Sequence, residues 1–69
     1  MIYIEIKKYL DEKGIKYTYI ADKLGLSKSV VSAMLSGRRV INAEEFVSIC
    51  NVLNVETDYF ANRLPQHTA

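Results

Sequence analysis

Sixty-nine residues, 49% of them apolar, suffice for one small core and are too apolar for a disordered chain. No apolar run approaches the roughly 20 residues that cross a bilayer. One cysteine and one histidine (Cys50 and His67) exclude an internal disulfide and cannot build a zinc site, so no metal or other cofactor is expected.

The opening MIYIEIKK places its charges after its apolar residues, opposite to a signal peptide, and cytoplasmic residence is the expectation. A first helix is expected over about Ile2 to Lys13, where Ile6, Tyr9, Leu10 and Lys13 follow helical spacing and Gly14 is a natural stop. Ile2-Tyr3-Ile4-Glu5-Ile6 also alternates like a strand, but such a strand could pair only with a second copy of the chain.

A second helix is predicted from about Tyr17 to Leu24 and a third from Lys28 to Ser36. Ile20, Leu24, Val31, Met34 and Leu35 fall on two apolar faces that can pack on each other. Ala21 lies on the inward side, where a small residue lets two helix axes approach. Gly25 stands where the second helix must stop and enters the left-handed conformation without steric cost. Leu26 covers the apolar cluster, and Ser27 can cap the third helix through a free backbone N–H. That combination is a helix-turn-helix motif, and it points to DNA.

Gly37-Arg38-Arg39 is expected to form a loop. Asn42 followed by Glu45 has the spacing of a capping box for a fourth helix carrying Phe46, Ile49, Cys50 and Leu53 on one face, with Asn54 as a left-handed terminator. Cys50 in that row is a buried small hydrophobe rather than a reactive thiol. A last short helix, about Thr57 to Asn62, presents Phe60 and Tyr59. Pro65 blocks its extension, and 63–69 is expected to be a flexible tail. The sequence therefore predicts one all-α domain of five short helices over 1–62, with no internal repeat.

The net charge of +1 hides an asymmetry. From Lys13 to Arg39, six basic residues (Lys13, Lys16, Lys23, Lys28, Arg38, Arg39) stand against Asp22 alone, a local charge of +5. Residues 1–12 carry −1 and residues 40–69 carry −3. Positive charge is thus concentrated around the helix-turn-helix, as attraction to phosphate requires.

On the third helix, Val31, Met34 and Leu35 form the inward stripe. Ser29, Ser32, Ala33 and Ser36 occupy the opposite face, with Lys28 in the first turn. Small groups and no acid suit a helix that must enter the major groove with its backbone near the bases. Serine hydroxyls can donate or accept at base edges, the Ala33 methyl can meet a thymine methyl, and Lys28 can reach guanine O6 and N7. Tyr17 and Thr18, at the positive end of the second helix, are candidates for a phosphate, with Ser27, Arg38, Arg39 and, more weakly, Asn42 at the edges of the surface. Tyr19 is expected to pack, and Tyr17 is open between packing and phosphate.

The stretch from Gly14 to Phe60 resembles the Cro and lambda-repressor-like (XRE-type) helix-turn-helix family. The matching pieces are Ile20-Ala21, Leu24-Gly25-Leu26-Ser27, Val31, Leu35, Ser36-Gly37-Arg38, Phe46, Ile49-Cys50 and Leu53-Asn54-Val55. The resemblance implies a five-helix bundle, base contacts from Lys28, Ser29, Ser32 and Ala33, phosphates near Ser36 and Arg38, and a dimer on a two-fold operator. Two departures stand out. The family often opens its second helix with threonine or serine followed by glutamine, where this chain has Lys16 and Tyr17. Its fourth helix ends in Asn54 where glycine is common.

The leading expectation is a sequence-specific transcriptional regulator, a repressor of phage or mobile-element type, acting on double-stranded DNA. The expected homodimer surface is Tyr59, Phe60 and Leu64, with the alternative that Phe60 only closes the core. The alternative is a protein-interaction module of the same fold, such as an antitoxin, adaptor or anti-repressor. Catalysis is not expected, since no serine lies beside a base and no carboxylate pair is implied.

Overall fold

In the computed structural model, which describes residues 1–62, the chain forms α1 (Ile2–Lys13), α2 (Tyr17–Leu24), α3 (Lys28–Ser36), α4 (Ala43–Leu53) and α5 (Thr57–Ala61). No strand occurs among the described residues. The alternating start of the chain is absorbed into α1, whose Ile6 and Leu10 are buried. The expected tail, 63–69, lies outside the described residues.

The first four helices stop in the same way. A left-handed residue (Gly14, Gly25, Gly37 or Asn54) follows the last turn, and the next N–H donates back across it. Ile15 donates to the Leu10 carbonyl at 2.9 Å, Leu26 to Ala21 at 2.9 Å, Arg38 to Ala33 at 3.0 Å and Val55 to Cys50 at 3.0 Å. Asn54 adopts φ 57°, so asparagine serves where the family commonly has glycine. Three of the returning residues, Ile15, Leu26 and Val55, pack against the core. The fourth, after α3, is Arg38, which is exposed. The same turn that elsewhere tucks a hydrophobe inward here delivers a guanidinium to the surface.

Each helix contributes its apolar stripe to one core: Ile6 and Leu10, Ile20 and Ala21, Val31, Met34 and Leu35, Ile49 and Cys50, and Phe60. The main packing partners are α2 with α3 and α4, α1 with α3 and α5, and α4 with α5. Helix α3 is therefore held from behind by both α1 and α2. Burial pushes the Cys50 thiol above its ordinary pKa, consistent with a packing residue.

Phe60 corrects an expectation. Placed by sequence on a dimer surface, it is 0% exposed and stands edge-on to Tyr59, Tyr9 and Phe46, with ring centroids 5.1, 5.6 and 6.3 Å away. A five-residue helix cannot hold itself together, and this aromatic cluster is what docks α5 onto α1 and α4. Tyr59 is half-buried in the same cluster, and Leu64 lies outside the described residues. Tyr19 is a second correction. It is 47% exposed, with the Lys23 ammonium 5.7 Å from its ring centroid, whereas Tyr17 is the partly buried one that packs on the core.

Candidate nucleic-acid interface

The turn between α2 and α3 is set by Gly25 at φ 68°, followed by Leu26 turned toward the core. Ser27 then caps α3, its hydroxyl accepting from the Val30 N–H at 3.2 Å. With Val31, Met34 and Leu35 buried, the opposite side of α3 faces outward. Ser29 and Ser36 are exposed there, while Ser32 and Ala33 are half-buried.

Lys28, Ser29, Ser32, Ala33 and Arg38 line a single shallow depression. A second depression is lined by Ile15, Lys16, Tyr17, Thr18 and Lys28. Lys28 belongs to both, so the start of α2 and the outer face of α3 border one continuous track. All four candidate base-reading residues lie on it, as do Tyr17, Thr18 and Arg38.

The track is basic because its charges are left uncompensated. On α1, Lys7 pairs with Asp11 at 3.2 Å and Lys8 with Glu5 at 3.8 Å. No described carboxylate forms an ion pair with Lys16, Lys28 or Arg38. The first turns of α2 and α3 contain no acid, whereas those of α1, α4 and α5 carry Glu5, Glu44 with Glu45, and Asp58. Acids at a helix start neutralise its positive dipole end, and the two helices on the track retain theirs.

The start of α2 carries the first departure from the family pattern. Lys16 occupies the N-cap position in extended conformation and makes no capping hydrogen bond. The Tyr17 and Thr18 amides therefore have no capping side chain, which keeps them open to an anion. Lys16 was not among the sequence candidates. Its position inside the basic run, one residue before Tyr17, was the available signal.

Beyond α3 the arginines part. Arg38 donates from Nε to the Ser36 hydroxyl at 3.1 Å, and that hydroxyl in turn donates to the Ala33 carbonyl at 3.1 Å. Arg39 instead grips Glu45 with both terminal nitrogens, at 3.0 and 2.7 Å. Asn42 and Glu45 complete a capping box: the Glu45 N–H donates to Asn42 Oδ1 at 2.8 Å and the Asn42 N–H to Glu45 Oε1 at 3.0 Å. Arg39 and Asn42 are thus engaged with the acidic start of α4 rather than with the track.

A helix-turn-helix family model matches residues 6–60. The chain belongs to this family, the Cro and lambda-repressor-like (XRE-type) proteins. At the family level, this XRE-type protein is a DNA-binding helix-turn-helix regulator. No curated protein and no solved structure matches the chain. Among the described residues of this helix-turn-helix protein, no helix is long and apolar enough to cross a membrane.

One residue of this helix-turn-helix protein was invisible from its sequence position. Tyr3 of α1 lays its ring over Gly37, where a Cβ would come within 2.7 Å of the ring and its hydroxyl. The end of α3 that carries Arg38 is therefore seated against α1.

Proposed function

We propose that this protein is a sequence-specific transcriptional regulator, a repressor of phage or mobile-element type, that inserts α3 into the major groove. The supporting observation is the acid-free track on which Lys28, Ser29, Ser32 and Ala33 lie between Lys16 and Arg38. In this reading Lys28 and the serines hydrogen-bond to base edges, and Ala33 lies near the groove floor against a thymine methyl. Tyr17, Thr18, Ser27, Ser36 and Arg38 hold phosphates, joined by Lys16, while Arg39 and Asn42 brace the loop behind them. Residues 1–62 serve as the DNA-binding unit.

Repression requires only that an operator be occupied, in the compartment that holds the DNA. A single α3 offers few base contacts, so a homodimer on a palindromic operator is the working form. Its two recognition helices would lie about 34 Å apart, one turn of the duplex.

Selection of bound sequences from random duplex DNA tests this reading, repeated with Ser29→Glu. An enriched two-fold site for the native chain, lost in the variant, is the expected result. No enriched site, or binding untouched by an acid in the middle of the track, overturns it. Affinity that does not fall with added salt would instead favour the protein-interaction module.

A further inference from the structure

Gly14 and Gly25 leave open space where a Cβ would stand, whereas at Gly37 that space is taken by the ring and hydroxyl of Tyr3. Gly37 thus serves two needs, a backbone at φ 83° and room for a ring from α1. Tyr3 is half-buried there, yet among the described residues its hydroxyl makes no hydrogen bond. None of their unpartnered polar side-chain atoms is buried, so this hydroxyl opens to solvent. A donor left unused on a ring that packing already holds gives up little entropy when it binds something from outside.

We infer that the Tyr3 hydroxyl donates to a DNA phosphate, the same one that Arg38 holds; this rests on the DNA-binding reading above. Gly37 stands between Ser36 and Arg38, so a hydroxyl over Gly37 lies where α3 ends and the track reaches its Arg38 border. Arg38 spends Nε on the Ser36 hydroxyl, which spends its own proton on the Ala33 carbonyl. The terminal nitrogens of Arg38 make no hydrogen bond to any described residue. No described carboxylate pairs with Arg38, and Glu5, two residues along α1 from Tyr3, is paired with Lys8 at 3.8 Å. One charged and one neutral donor, from different helices, are thus left open at one end of the track. A phosphate, with two free anionic oxygens, accepts both, and the groove edge is where the DNA backbone runs. None of the residues lining the track comes from α1, so this contact extends the interface to a third helix.

In the full chain, Tyr3→Phe removes the hydroxyl and keeps the ring on Gly37, so the variant should melt as the native chain does. Binding is measured on a duplex of the selected sequence and on one of random sequence, each across a salt titration. Because a phosphate contact carries no sequence information, affinity should fall on both by the same factor, about three- to tenfold. The salt slope should stay unchanged, since no charge is lost, in contrast to Arg38→Ala. In an Arg38→Ala background the same change should cost much less, because the two donors share one phosphate. Native affinity in Tyr3→Phe overturns the assignment and leaves the DNA-binding reading in place. So does a loss confined to the selected duplex, which would make Tyr3 a base reader. A loss matched by a lower melting temperature, or one that adds in full to that of Arg38→Ala, overturns it as well. A native chain that binds neither duplex overturns the DNA-binding reading itself, and this contact with it.

Discussion

Arg39 and Glu45 form a two-pronged ion pair, at 3.0 and 2.7 Å, that turns one arginine of an adjacent pair away from the surface its neighbour borders. Among the described residues, the Arg38 guanidinium reaches only the Ser36 hydroxyl. Two residues with the same side chain therefore have different work. Arg38→Ala should lower the salt dependence of DNA binding by about one unit of slope and leave melting nearly unchanged. Arg39→Ala should lower the melting temperature and change the slope far less. Equal slope losses in a salt titration of both variants would show that Arg39 leaves Glu45 for a phosphate.

The same pair sets a pH dependence. The Arg39 guanidinium, and secondarily the Asn42 N–H, hold the Glu45 carboxyl below its usual range. Its folded form thus binds a proton less readily than the unfolded chain, whose glutamates titrate near about 4.3. The contribution is complete above that value and lost as pH falls through the lower folded one. Melting curves recorded from about pH 7 down to about pH 3 should show a steeper loss for the native chain than for Glu45→Gln. The variant should start lower at neutral pH, since it keeps a capping carbonyl but not the charge. Parallel curves would mean that the pair contributes nothing to folding.

Local chemistry made much of this legible. The capping box at Asn42 and Glu45, the stops at Gly14, Gly25 and Asn54, and the inward stripe of Val31, Met34 and Leu35 each depend on residues within a turn or two. What escaped was set by long-range packing. Which of its two readings Phe60 would take, sealed among Tyr9, Tyr59 and Phe46, and that Tyr3 would sit on Gly37, depends on how α1 returns against α3 and α5. The candidate track was legible by residue type, but its continuity was not. Lys28 joins two depressions only because α2 and α3 bring their N-termini together.

Tyr3 and Gly37 offer a test of that long-range seating. Gly25 and Gly37 have φ of 68° and 83°, so an alanine at either carries the left-handed cost, about 1 kcal/mol. At Gly25 a Cβ meets nothing within 4 Å, while at Gly37 it runs into the Tyr3 ring at 2.7 Å. Gly37→Ala should therefore destabilise more than Gly25→Ala in denaturant melts. In a Tyr3→Ala background the difference between the two should shrink, because the ring has gone and the backbone cost is shared. A difference that persists without the ring assigns the effect to the backbone at Gly37 alone.

Lys16 places stability and binding in opposition. An N-cap in extended conformation with no capping side chain is a weak start for α2, and serine or threonine there typically adds about 1 kcal/mol. In a domain this small that corresponds to roughly 4–8 °C in melting temperature. Lys16→Ser should therefore raise the melting temperature. It also removes a positive charge from the track and places a hydroxyl over amides that are otherwise open to phosphate. DNA affinity at low salt should fall, with the salt slope reduced by about one. A variant that melts higher and binds as well as the native chain would remove the start of α2 from the interface. One that melts no higher would show that the α2 amides are already satisfied in solution.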